Sequence, residues 1–558
     1  MENKYVIGVD YGSDSARALV INAANGATVG QAVCQYPRWN QGLYQNAAAG
    51  MFRQHPLDYL ESLTSCVTQA LEQAGEEVRG QVVALAVDTT GSTPCPVNQA
   101  GVPLALLPGF EEDPNAMFHL WKDHTAVSEA EQITKTFSSW NGIDYTRYQG
   151  PYASEWFWAK ILHTVSVDPK VRKAAYSWVE HCDWLPALLA GETRPEKMYR
   201  SACAAGHKAY WNSAWDGLPD RRCLESLDPY LGQIWSTYGA GPRPCSENLG
   251  CITHEWAKRL GLPETTIIAG SAFDAHAGAV GAGICPGKLV LNIGTSAVDM
   301  LVLRPDQIPA GNFSYACGAA EDSILPGFIG VETSQAAYGD AYAWLKKLLL
   351  FPLTEIEYSA DIISPQQMSA LSQAAEESIL RELEEKARKL PLKGAVTALD
   401  WFNGRRYPQV NEHARSALNG LHLGIGAAEL YQALVLATAF GQQTILRTLA
   451  REEITVESII AVGGIAQKSD YVMQTLSDVL GCRIDVSQTV QACARGAAIY
   501  AATAAGLYSD IMAAQQVLCE GVLRSYTPNR EKAADYKHLY EAYLDLARWT
   551  DLGMICNP

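Results

Sequence analysis

Val6-Ile-Gly-Val-Asp10-Tyr-Gly12-Ser13 leads into Ala16-Arg-Ala-Leu-Val-Ile21, and Lys288-Leu-Val-Leu-Asn292-Ile-Gly294-Thr295-Ser296 leads into Val298-Asp-Met-Leu-Val-Leu303. Asn292 corresponds to Asp10 and Gly294 to Gly12, both at an offset of 282 residues. Each passage is a short β-rich run, a glycine turn and a second β-rich run. Two such units so far apart predict a duplicated α/β domain, divided into residues 1–284 and 285–558. From the residues alone the other reading is a pair of unrelated glycine turns between strands.

Around the first passage the pattern extends in the same sense. Thr28–Val33 reads as a third strand, and Asp58–Gln73 as a helix with Leu60, Leu63, Val67, Ala70 and Leu71 on one face. Val82–Val87 is continuously apolar, as a strand covered on both sides must be. In the second half, Ser369–Leu390 repeats apolar residues at helical spacing among many charges, which predicts a helical insertion over about 351–391. Ser458–Val462 reads as a strand ending in Gly463-Gly464, and Ala494–Ala505 as an alanine-rich helix.

Length and charge narrow the function. A chain of 558 residues exceeds what one hydrophobic core supports. With 43 basic and 60 acidic side chains the formal charge is −17, so neither nucleic acid nor an anionic membrane is an expected partner. The 14 cysteines show no C-x-x-C spacing, which predicts reduced thiols in a cytoplasmic protein. No signal peptide and no membrane-spanning segment are expected.

Three glycine turns follow predicted strands: Gly12-Ser13, Gly294-Thr295-Ser296 and Gly463-Gly464. Such turns let exposed N–H groups and hydroxyls approach phosphate oxygens. Asp10 ends the first strand where a carboxylate can hold magnesium through water, and Arg17 is a candidate phosphate contact. No P-loop sequence is present. Asp274 precedes a run of small residues, so it reads either as a helix N-cap or as a general base at a domain junction. Glu332 reads as a polar cap or a ligand for sugar hydroxyls. Lys208 reads as a snorkelling surface lysine. Leu120-Trp121-Lys-Asp123-His124 sets an aromatic beside polar groups, as carbohydrate sites do.

Taken together these runs resemble the FGGY family of carbohydrate kinases over nearly the whole chain. The resemblance is carried by Gly8–Arg17, Asp88-Thr-Thr-Gly-Ser-Thr-Pro94, Pro114–Phe118 with Leu120–Ala126, the Asp274 segment, Gly330–Gln335, Asp400-Trp-Phe-Asn-Gly-Arg-Arg406 and Gly463–Ser469. It implies two actin-like, ribonuclease-H-like α/β domains with a cleft between them. It also implies ATP and Mg²⁺ as cofactors, a sugar as substrate, and Asp274 as catalytic base. Phosphates would be held at Gly12–Ser13 and Gly294–Thr295, and adenosine at Gly463, Gly464 and Gln467. The sugar would be contacted by Trp121, Asp123, Lys208, Asp274 and Glu332. Within the family the match is to the branch that phosphorylates L-ribulose at its 5-hydroxyl in L-arabinose catabolism. Alternatives are a kinase for D-ribulose or D-xylulose, or a non-catalytic actin-like ATP or sugar sensor. A homodimer through the insertion is a further expectation. Asp14 and Lys468 depart from the family pattern and have no implied role.

Overall fold

Asp10 and Tyr11 lie beyond the apolar run of the first predicted strand, yet the strand continues through both. In the computed structural model, which describes residues 4–239, 241–308, 318–359, 362–406, 410–411 and 413–551, the strand is Tyr5–Tyr11 and is buried along its whole length. Ladder pairing makes this extension affordable for the backbone. Asp10 lies opposite Arg17 on the antiparallel strand Ser15–Asn22, and opposite Asp88 on the parallel strand Val82–Thr89.

These strands belong to a mixed sheet whose order is Asn248–Cys251, Ile267–Ala269, Val82–Thr89, Tyr5–Tyr11, Ser15–Asn22, Thr28–Gln35. The first three strands in the chain form an antiparallel meander. Helix Pro56–Ala74 then supplies the crossover that a parallel return requires. The short strand Ala272–Phe273 pairs with the end of Val82–Thr89, setting Ala272 opposite Asp88. One row across the carboxyl end of the sheet is therefore Asp10, Asp88 and Ala272, with Asp274 two residues further on. Helix Ala492–Ala504 packs on strand Tyr5–Tyr11 and on helix Asp274–Gly281.

Between strands Val82–Thr89 and Asn248–Cys251 the chain builds a mostly helical block with its own core, including Phe137, Tyr145, Trp158, Ile161, Trp178 and Leu231. By contact clustering, the first compact unit comprises residues 1–286, 300–331 and 489–521.

The second unit comprises residues 287–299, 332–488 and 522–558. Strand Lys288–Ile293 lies parallel to Ser458–Val462, which lies parallel to Ile484–Ser487; Val522–Tyr526 closes the row antiparallel. In each unit the strand before the glycine turn thus takes a parallel partner from much later in the chain, which is the topology behind the sequence echo. Helix Ala427–Arg451 is buried through its middle. Its Gln442 amide donates to Asp299 Oδ1 (2.6 Å), and burial pushes the Asp299 carboxyl up to about 8.

The predicted insertion begins differently. Residue 351 falls inside helix Gly339–Thr354, and the next helix is Pro365–Ala387, starting four residues before the predicted Ser369. The cause is local: Ser364 and Gln367 form a reciprocal capping box ahead of the apolar repeat. Residues 360–361 of this stretch lie outside the described residues. Glu384 accepts hydrogen bonds from the Ser469 hydroxyl (2.7 Å) and the Tyr471 N–H (2.9 Å), anchoring the helix. No described helix is long and apolar enough to cross a membrane.

Candidate active site

The carboxyl ends of parallel strands are where α/β sheets expose residues to ligands, and the first unit gathers three carboxylates there. Arg17 Nη1 donates to Asp10 Oδ2 at 2.9 Å. Burial pushes the Asp10 carboxyl up from its ordinary value, against the pull of Arg17. Asp88 is completely buried, and among the described residues no N–H or hydroxyl donates to either of its oxygens, which have only the Asp10 carboxyl beside them. Burial, with the charges of Asp10 and Asp274, drives its carboxyl well up. Two buried carboxyls side by side need either a shared proton or a cation between them. Orphaned buried oxygens of this kind fit a hard divalent ion that takes carboxylate and water ligands. The expected metal residue Asp10 thus gains a partner in Asp88.

Asp274 is the first residue of helix Asp274–Gly281 and Phe273 occupies the cap position, so the N-cap reading does not hold. Its Oδ1 accepts the Ala275 N–H at 2.7 Å. Lys208 departs from the surface reading as well. It is buried on helix Ala202–Ala209, its ammonium 5.0 Å from the Trp156 ring centroid and 5.7 Å from that of Phe273. A lysine is thereby brought to the residue preceding Asp274.

The first glycine turn is a tight connection in which the Gly12 N–H donates to the Ser15 carbonyl (3.0 Å). The Ser13 hydroxyl accepts from the indole N–H of Trp121 at 2.9 Å, joining two residues expected on different substrates. Trp121 is 39% exposed. Asp14 is exposed and accepts from the Ser15 hydroxyl, while Arg17 is committed to Asp10.

Asp123 departs from the expectation of a sugar contact. It is fully buried and ion-paired with Arg53. It also accepts from the Phe52 N–H (2.7 Å) and the Thr125 hydroxyl (2.6 Å). Its carboxylate braces the segment that displays Trp121.

In the second unit, the Gly294 turn and the Gly463 turn adjoin one another. Gly463 has φ +100°, and a Cβ there would sit 2.4 Å from the Ile293 carbonyl oxygen, so only glycine fits. The N–H groups of Tyr338 (2.8 Å) and Asp340 (3.1 Å), at the start of helix Gly339–Thr354, donate to the Thr295 carbonyl. Gly464 and Gln467 share helix Gly464–Lys468, where Lys468 is exposed. Glu332 is half-buried on strand Ile329–Gln335. Asp400, quoted above for its motif, accepts from the Gln335 amide (2.9 Å) and the Tyr543 hydroxyl (2.8 Å), a structural tie.

Residue-by-residue reading assigned no role to Asp88, Lys160 or Cys493. Asp88 had a signal, since a carboxylate closing a buried apolar strand repeats the pattern of Asp10. Cys493, whose thiol is pushed well up by burial and by the three aspartates, had none.

Residues 289–505 match the C-terminal domain of the FGGY family of carbohydrate kinases. The chain is 42% identical over 553 residues to a ribulokinase of Vibrio parahaemolyticus, covering 98% of this chain and 96% of that one. It is 34% identical to a ribulokinase of Shouchella clausii, over 97% and 94% of the two chains. Among solved structures, xylulose kinase from Rhodospirillum rubrum aligns with a TM-score of 0.78 at 19% identity, covering 98% of this chain and 99% of that one. That likeness concerns the fold.

Proposed function

The chain belongs to the FGGY family of carbohydrate kinases, and we propose that it transfers the γ-phosphoryl group of ATP to the 5-hydroxyl of L-ribulose. The observation that carries this reading is the placement of Asp274 beside the Asp10–Asp88 pair, with the Lys208 ammonium near the intervening Phe273 ring. Phosphoryl transfer passes through a loose transition state, so positioning and charge neutralisation supply most of the catalysis.

Asp274 accepts the proton of the 5-hydroxyl as that oxygen attacks the γ-phosphorus in line. Lys208 and Trp121 orient the sugar, and Glu332 is a further candidate for its hydroxyls. The turns Gly12–Ser13 and Gly294–Thr295 offer donors to the phosphates. Gly463, Gly464 and Gln467 receive the adenosine. Asp10 and Asp88 would hold the magnesium ion, which when bound neutralises charge on the phosphoryl oxygens.

Residues 1–284 would thus serve mainly the sugar and residues 285–558 mainly ATP. We place the chain in the cytoplasm, where its described cysteines, none of them in a disulfide, stay reduced. Exposed Leu348, Phe351 and Ile356 support a second copy docking along the insertion.

Asp274→Asn tests the reading. General-base help is worth ~10²–10⁴ in rate, so turnover of L-ribulose should fall by that factor while ATP affinity holds. A variant that keeps wild-type kcat would refute the role of Asp274.

A further inference from the structure

We infer that Lys160 and Glu180 are a buried positioning pair that sets two adjoining walls of the sugar site, the turn Gly91–Thr93 and the segment His119–Trp121. The inference rests on the sugar-kinase reading above and assigns residues that reading does not use.

Lys160, on helix Phe157–Val167, is 1% exposed. Its ammonium donates to the carbonyls of Ser92 (2.8 Å), Leu120 (2.9 Å) and His119 (3.2 Å). Three carbonyls use all three N–H bonds of an ammonium, and a neutral amine would have only two. Glu180 ends strand Ser177–Glu180 and accepts the Thr93 N–H at 2.7 Å and the Ser92 hydroxyl, so it acts as a carboxylate. Burial pulls the lysine down and pushes the glutamate up, and the attraction between them opposes both shifts. Ser92 is therefore gripped from both sides, its carbonyl by the cation and its hydroxyl by the anion.

Both gripped segments lead to the site. Gly91 lies so close to Phe273 that a Cβ would sit 1.9 Å from a ring carbon, and Phe273 immediately precedes Asp274. Leu120 immediately precedes Trp121, whose indole bonds Ser13. Both members of the pair are buried, and among the described residues every side-chain hydrogen bond of theirs goes to the two gripped segments. Lys160 and Glu180 do not bond each other directly but both bind Ser92, and buried charges are a weak source of stability compared with apolar packing. Their effect here is geometric: one ammonium fixes the spacing between two backbone segments that form adjoining walls of the site.

The test compares Lys160→Met, Lys160→Arg and Glu180→Gln in the full chain. Steady-state kinetics with L-ribulose and ATP should show kcat/KM for the sugar falling on the order of 10²-fold in Lys160→Met, as for a displacement near 1 Å. KM for ATP should change less than about two-fold, within the scatter of remote sites. Arginine, which keeps several donors, should restore part of the loss. Hydrogen exchange, read without substrate, should speed up at Gly91–Thr93 and at Leu120–Trp121 together. Unchanged exchange at either segment, or equal losses for sugar and ATP, overturns the pair. Should methionine prevent folding, the arginine and glutamine variants carry the same readouts. Absence of L-ribulose turnover in the wild-type chain would refute the functional reading instead, and the exchange measurement still decides the pair.

Discussion

Gly496→Ala displaces the helix that carries Asp274, and the displacement can be worked from the geometry. Helices Ala492–Ala504 and Asp274–Gly281 cross through small residues. A Cβ on Gly496 would lie 1.8 Å from the Ala277 carbonyl oxygen and 2.5 Å from its carbon. Cβ atoms do not approach closer than 3.0 Å, so one helix must move by at least about 1.2 Å. The obstructing atoms are backbone, and no side chain can swing aside. Asp274 stands three residues before Ala277 on the same helix and moves with it. Overpacking of this kind costs about 1–3 kcal/mol, offset by about 1 kcal/mol because alanine is the better helix former. The net loss of stability should be at most about 2 kcal/mol. A misplacement near 1 Å at reacting groups costs on the order of 10²-fold in rate. The variant should therefore remain folded, melt slightly lower, and lose most of its L-ribulose turnover in a coupled ADP-release assay. A variant with unchanged melting temperature and kcat within two-fold of wild type would refute both the close crossing and its link to Asp274.

Asp299→Asn probes a different group. Its carboxyl is raised from 3.8 to about 8, so its contribution is full below the unfolded value and is lost as pH rises toward about 8. Thermal unfolding from pH 5 to 8 should show the wild type losing, relative to the variant, about 1.4 kcal/mol per pH unit, and parallel profiles would contradict this. Asp88→Asn removes one of two buried neighbouring carboxyls. It should raise the melting temperature and weaken Mn²⁺ binding by roughly 10–100-fold in a paramagnetic titration; unchanged Mn²⁺ affinity would remove Asp88 from the metal site.

Local sequence determined the strands and the glycine turns, and it left the duplication as one of two readings. Alternation, apolar runs and turn chemistry act over a few residues: Ser458–Val462 lies where those patterns put it, while Tyr5–Tyr11 and Val82–Thr89 each run two residues past the apolar run. Asp10 and Asp274 were legible as candidates because a carboxylate beside a buried strand or a run of small residues is costly without a use. The helical block between the strands of the first sheet was not legible. Its core comes from contacts such as Phe137 with Tyr210 that no local period encodes. Tertiary structure alone decided which polar residues face a ligand and which hold the scaffold. Asp123 and Trp121 are two residues apart, yet Arg53 and a strand N–H claim the first while the second remains exposed. Lys208 and Lys160 look alike in sequence, yet one lies over two aromatic rings and the other binds three carbonyls. The physical reason is that a charge's role depends on the partners that surround it after burial, and those partners come from distant parts of the chain.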